Sequence, residues 1–539
     1  MAELTPGSTE SPLTQAPPEP TARPTSYSCP SGDPRGQGQP GAMLQFADSA
    51  DNAIARWQGL GRPGVEEVNL ATLCGGCIVT WVSPALTSLA EQTSLVLTTA
   101  EQSWVGSMQL LASVLGPAPA VFLVRLYGCR ATLMAVATVY ACGWVLVAAM
   151  RSVQVLLVGR FVLGLAMGAT FAVLPIYTGE IAQAEVRGVL GSFFMLFFTS
   201  GFLLEYSVGP FVSYLALALL SGALPLALLA GLLLVPDSPR QLLARGRVDE
   251  ARAALAWLRN CSGEEVSTEL ELIKASEKAR AQDKEKSSFQ HLATRGNLKA
   301  LALCLALCFF QQMSGATALA TYTQTIFAAS GAGISPTLST IVTGVSMVLA
   351  GIASCLLIDL VGRRPLIFVS SAGVASSMIL LGTYFHMKEI GDVSKYGVLP
   401  ITCAIGFNIF YGIGWGPVPM TVAAEVFSGE VKERAVFLTM ACLNFLGFLN
   451  ARFFLEVAER VGMGPCFWFF GGCSLAGALA AFLCTLPRAY LESWEHMTWS
   501  SERDVCERMV LEKQQVSAGK EEAGSVWPQW VAALIGNVP

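Results

Sequence analysis

Twelve apolar stretches, each near twenty residues long, recur along residues 68–486 of this chain. A helix rises about 1.5 Å per residue, so about 20 residues cross roughly 30 Å of hydrocarbon. The first six begin near Val68, Ser103, Ala131, Val153, Val189 and Phe211. The second six begin near Ala300, Thr337, Leu366, Val398, Val436 and Pro465. Charged residues make up only 14% of the sequence, against roughly 25% in a soluble domain. The expected fold is an all-α membrane protein with twelve transmembrane helices and the lipid bilayer as its solvent.

The two sets of six divide the chain. Residues 1–67 are rich in Pro, Ser, Thr and Gly and read as a disordered cytoplasmic tail without a cleavable signal peptide. Residues 68–235 are expected to form one six-helix bundle and 300–486 the second. Residues 236–299 form a charged linker with short helices, and 487–539 a second cytoplasmic tail. The linker carries twelve Lys and Arg. Arg125, Arg130, Arg187, Arg363, Arg364, Lys432 and Arg434 fall on the same side; only Arg151, Lys388, Lys395 and Arg460 fall on the other. Positive charge stays inside, which places both termini and the linker in the cytoplasm. That topology leaves the sequon Asn260-Cys261-Ser262 unmodified.

Composition excludes several functions. The net charge of −5 gives nucleic acid no basic surface. Cys74 and Cys77 have CxxC spacing but sit inside an apolar run, where Cys behaves as a small hydrophobe. With 3 His and no exposed carboxylate pair, neither an enzyme nor a metal site is expected. No cofactor is implied, and no phosphate-binding loop appears.

The halves also repeat. Arg125-Leu-Tyr-Gly128-Cys129-Arg130 follows the second stretch, and Asp359-Leu-Val-Gly362-Arg363-Arg364 follows the eighth. Pro175-Ile-Tyr177-Thr-Gly-Glu180 runs on to Arg187-Gly188. Pro417-Val-Pro419 leads to Glu425 and then Arg434. Parallel six-helix repeats enclose a central site that faces alternate sides in turn.

These motifs resemble the major facilitator superfamily, sugar-porter branch. Gly159-Arg160 with Gly164 and Gly168, Pro236-Asp-Ser-Pro-Arg240 and Gln311-Gln312-Met-Ser-Gly315 extend the resemblance. Thr323-Gln-Thr-Ile-Phe327 and Trp81-Val-Ser-Pro-Ala-Leu86 are similar to the facilitated trehalose transporters in particular. The resemblance covers about residues 68–490 and implies two pseudo-symmetric halves working by alternating access. It further implies ion pairs across the cytoplasmic mouth among Arg160, Glu180, Arg187, Asp359, Arg363, Arg364, Glu425 and Arg434. Plain positive-inside anchoring is the alternative. The first-half turn departs from the family: Arg125 replaces an acid or amide, and Cys129 replaces an arginine. The second-half turn is intact.

Sugars present hydroxyls, so a sugar site needs amides, hydroxyls and aromatic faces within the membrane. On a straight helix Gln311, Gly315 and Tyr322 fall within about 40°, with Gln312 flanking. Two adjacent glutamines in an apolar span need water or partners. They face a substrate or bond neighbouring helices, and Gly315 permits a break. The run Gly412, Gly414, Trp415, Gly416, Pro417, Pro419 cannot continue as a straight helix; it reads as a gate or a static kink. Asn444 adds a hydroxyl partner. By resemblance, Met195 stands where glucose transporters place Gln, Thr317 for Asn, Thr321 for an aromatic residue, and Met420 and Phe445 for Trp. That thinned pocket disfavours ordinary glucose binding.

The resemblance implies a facilitative carrier of trehalose or a hexose in the plasma membrane, with a monomer as the default state. Residues 68–88 lack the acidic residue of proton-coupled relatives. Glu205 and Arg452 keep proton-coupled symport open, since intramembrane charge is functional by default. Either can instead snorkel to the interface. The degenerate first turn and thinned pocket also fit a non-transporting sensor.

Overall fold

The computed structural model describes residues 65–92, 97–182, 187–259, 266–283, 294–331, 334–361, 363–427 and 429–485. The expected tails, the sequon and the side chains of Arg187, Asp359 and Arg364 lie outside the described residues. Every regular element among the described residues is helical.

Among the described residues, ten helices are long and apolar enough to cross a membrane, and the total is twelve with each of two bent pairs taken as one span. Span one is Val65–Thr80 with Val82–Gln92, and span two is Thr99–Leu115 with Pro117–Tyr127. Spans three to six are Cys129–Ala148, Val153–Ile181, Arg187–Val208 and Tyr214–Leu234. Span seven joins Arg295–Met313 to Ala316–Ser330; Pro336–Val361 and Arg363–Ile390 are eight and nine. Span ten joins Leu399–Ile413 to Val418–Val426, before Gly429–Val461 and Met463–Thr485. Three helices, Pro239–Ala244, Val248–Arg259 and Ser267–Asp283, lie between the sets of six.

Each break has a local cause. Pro84 lacks an N–H and crowds the carbonyl four residues back, so the pieces of span one meet at 44° beside Trp81. Pro117 does the same to span two, at 43°. In span seven Gly315 takes φ +88°, a left-handed conformation that ends one helix and starts the next. Gly414, Gly416 and Pro417 interrupt span ten.

Lipid-facing helices cannot rely on the hydrophobic effect to find one another, so small residues set their approach. An ideal Cβ on Gly164 falls 2.2 Å from the Gln109 carbonyl, and one on Gly168 falls 2.1 Å from that of Ser113. Spans two and four therefore touch backbone to backbone. The outer faces stay apolar: Phe122, Leu234 and Phe469 are all more than half exposed. Between the halves, span two packs on span eleven and span five on span eight.

The halves are pinned on the face away from the linker. Tyr206, near the end of span five, donates to the Ala320 carbonyl and shares a 2.9 Å bond with Thr323. Gln324 N–H donates to Ser83 Oγ at 3.0 Å. The Arg452 guanidinium lies 4.7 Å over the Trp104 ring, whose other neighbour is Phe448. Arg452 also bonds Glu456 one turn on.

Substituting Gly315 with Ala forces a left-handed L-residue, at about 1–2 kcal/mol. It also sets a methyl 2.6 Å from a Phe470 ring carbon. G315A is expected to lower the thermal midpoint of detergent-purified protein by several degrees. G472A, whose Cβ meets nothing within 4 Å, is expected to leave it unchanged or higher.

Candidate functional site

Midway along span seven the chain places two amides where the helix is about to break. Gln311 and Gln312 are 4% and 8% exposed, so neither meets lipid. Gln311 Nε2 donates to Tyr411 Oη and to the Gly416 carbonyl, both at 3.2 Å. The second contact matters because Gly416 sits in the interrupted part of span ten, where carbonyls have lost helical donors. Gln312 Nε2 donates to the Leu443 carbonyl of span eleven at 2.9 Å. Its Oε1 accepts from Thr317 Oγ1 at 2.8 Å, across the Gly315 turn. Asn450 Nδ2 donates to the Gln312 carbonyl at 2.6 Å.

Gln312 is thus committed at both ends of its amide. Gln311 is not: its Oε1 is buried without a partner, as is Oδ1 of Asn450. A buried unpaired carbonyl oxygen costs about 1–3 kcal/mol. The two oxygens leave the meeting point of spans seven, ten and eleven able to accept hydroxyl donors.

The other sequence-selected residues distribute unevenly. Thr317 joins the glutamines. Tyr322 does not: the Gly315 turn and a non-helical Tyr322 (φ −117°, ψ 22°) break the wheel that aligned them. Its Oη donates to the Ala451 carbonyl at 2.9 Å, and its ring stacks on Phe454. Tyr322 and Thr321 close against Gly106 of span two, inside the pinned face. Trp415 is fully buried with its backbone N–H bound to Ser370 Oγ, and its ring lies against Gly477, which Phe310 crowds as well. Asn444 bonds its own helix at the Met440 carbonyl. Met195 and Met420 are half-buried on spans five and ten, and Phe445 is 46% exposed on span eleven. Tyr411 and Asn450 belong to the cluster and were not selected from the sequence. A lone amide in an apolar run was the available signal for Asn450.

The charges separate as well. At the linker face Arg363 Nη2 meets Glu425 Oε1 at 2.8 Å. Arg130 donates to the Leu232 and Leu233 carbonyls, with Asp237 4.0 Å away. Glu180 ends span four and accepts from Gln241 at 3.2 Å. Arg434 is half-buried on span eleven. Arg160 is elsewhere. It lies two turns from the opposite end of span four, fully buried. It donates to the carbonyls of Val105 and Ile78 at 3.1 and 2.8 Å and packs over Trp81. It holds spans one, two and four together; the Gly-Arg motif sits too far from the linker face to join the mouth. Glu205 is 1% exposed and accepts from Ser221 at 2.6 Å, which excludes snorkelling.

With this arrangement in view, known proteins are similar along most of the chain. The profile of the family described as Sugar (and other) transporter matches residues 76–499. The chain belongs to that family. Facilitated trehalose transporter Tret1 of Anopheles gambiae is 34% identical over 415 residues, covering 76% of this chain and 52% of that one. The Tret1 of Culex quinquefasciatus is 33% identical over 445 residues, covering 82% and 85%. The chain spans about half the length of several of these relatives. Among solved structures, the xylose transporter XylE of E. coli in a partially occluded inward-open conformation shares the fold. Its TM-score is 0.64 at 20% identity, covering 79% of this chain and 99% of that one. This transporter-family chain therefore has the major facilitator fold that its repeats implied, and the family is one of transporters rather than enzymes.

The two glutamines should differ in what their loss does to stability. Q312L strands the Thr317 hydroxyl, at about 1–3 kcal/mol, while the Leu443 carbonyl keeps its donor inside the continuous helix Gly429–Val461. Q311L strands the Gly416 carbonyl but also removes the orphan Oε1, which offsets that cost. A lower thermal midpoint for Q312L than for Q311L is expected; the reverse order would contradict the assignment.

Proposed function

We propose that the chain is a facilitative carrier that moves a sugar, trehalose or a hexose, across a membrane by alternating access. The observation that carries this reading is the unpaired Gln311 Oε1 beside the broken spans seven and ten. A buried acceptor with spare capacity, next to carbonyls freed by helix breaks, suits a ligand that brings several hydroxyls. Family membership and the similarity to facilitated trehalose transporters support a sugar as that ligand. The half-buried methionines at 195 and 420 supply apolar walls and favour a ligand held by few polar contacts.

Gln311 is proposed to hold the sugar within the frame that Gln312 and Thr317 fix, with Met195, Met420 and Asn444 bordering it. Tyr322 is proposed to close over it from the pinned face, and Trp415 to brace the break from behind. The pair Arg363–Glu425, with Glu180, Arg187, Asp359, Arg364 and Arg434, is proposed to govern opening at the linker face. Lys and Arg abundance in the linker supports a cytoplasmic linker and cytoplasmic termini. The plasma membrane and a monomer complete the reading.

A second reading has one observation behind it. Glu205 is a buried acid with Oε2 unpartnered, which favours proton-coupled movement of the same sugar. Uptake into liposomes with and without a pH gradient separates the two: equal rates favour the facilitative reading, and gradient-driven accumulation favours symport.

Q311A is expected to reduce radiolabelled sugar uptake to background while purified yield stays unchanged. Uptake kinetics equal to those of the unaltered chain would remove Gln311 from the site.

A further inference from the structure

The two halves share one turn, and they differ at the residue that follows its glycine. After span eight it reads Gly362-Arg363-Arg364; after span two it reads Gly128-Cys129-Arg130. In the second half Arg363 reaches Glu425 at 2.8 Å and ties the start of span nine to the end of span ten. The matching first-half position is a thiol, and the matching acid is Glu180 at the end of span four.

The linker supplies a substitute. Gln241, on Pro239–Ala244, accepts from the Cys129 N–H at 2.8 Å through Oε1 and donates to Glu180 Oε2 at 3.2 Å through Nε2. Its amide also lies against the Cys129 sulfur. One side chain thus caps the N-terminus of span three and holds the acid ending span four. Gly128 makes room for it: φ is +93°, and an ideal Cβ there would fall 2.5 Å from Gln241 Oε1. Two neighbours fasten the same short helix. Arg245 donates to the Leu126 carbonyl at 3.0 Å, and Tyr177 Oη donates to the Pro236 carbonyl at 2.7 Å.

We infer that Gln241 is a positioning residue that does for the first half what Arg363 does for the second, and so makes the linker a working part of the first-half hinge. The inference rests on the carrier reading. A neutral amide replaces one member of an ion pair, so the first-half tie is the less salt-sensitive of the two. Gln241 lies at the linker face while the glutamine pair lies mid-span, so its loss should slow reorientation without weakening sugar binding.

The test uses the full chain in liposomes. Q241M keeps the side chain's length and removes its hydrogen bonds. It is expected to lower the maximal exchange rate about fivefold, with KM changed less than about twofold. C129R added to Q241M is expected to restore most of the rate, because the new guanidinium reaches Glu180 from the position Arg363 occupies in the other half. Loss through damaged packing would not be repaired by that second change. Tryptic cleavage at Arg240 and Arg245 gives a readout independent of flux and is expected to rise several-fold in Q241M. An unaltered rate, or a lowered rate that C129R leaves low, overturns the inference. If the unaltered chain moves no sugar, the carrier reading fails, and unchanged cleavage would then overturn the tie itself.

Discussion

Wherever a helix breaks inside lipid, the carbonyls it frees must find donors within the protein. This chain breaks span seven at Gly315 and span ten between Gly414 and Pro417, and it answers both breaks with side-chain amides. Gln311 reaches the Gly416 carbonyl, and Asn450 reaches the carbonyl of Gln312. Those contacts join spans seven, ten and eleven at one point. Without the Gln311 contact the Gly416 carbonyl would stand unsatisfied, whereas the Gln312 carbonyl also accepts from the Gly315 N–H.

The same contacts make the site adaptable. An amide that donates to a freed carbonyl in one state can donate to a sugar hydroxyl in another, because the exchange trades one neutral hydrogen bond for another of similar strength. Gln312 is held at both ends and fixes the local frame. Gln311 retains a free acceptor and is the member able to change partners. The pinned face adds the second requirement of alternating access. Tyr206, Ser83 and Trp104 bind the halves there through a few polar and cation–π contacts, each worth about 0.5–2 kcal/mol, which suits reversible opening.

Much of this was legible in the sequence because lipid imposes simple rules. Span length, the repeated Gly-Arg turns and the linker are visible in residue order, since the bilayer leaves few alternatives for an apolar run. The glutamine pair was legible for the same reason: two amides in hydrocarbon demand partners. What the sequence hid is direction. Trp415 reads as part of a gate or kink, and only the fold shows its ring lying against Gly477, away from the glutamines' hydrogen bonds. Arg160 reads as a mouth charge, yet its depth in span four aims it at the Val105 and Ile78 carbonyls. Tyr322 left the stripe of Gln311 because a straight wheel does not survive Gly315. Cys129 reads as a lost contact, and only the folded linker brings Gln241 to it.

The most direct test of the amide exchange is a cryo-electron microscopy map of the reconstituted chain with a saturating transported sugar. The account predicts a sugar hydroxyl within hydrogen-bond distance of the Gln311 amide, with the Gly416 carbonyl released or shared. A sugar bound elsewhere, with the contact from Gln311 to Gly416 intact, would contradict it.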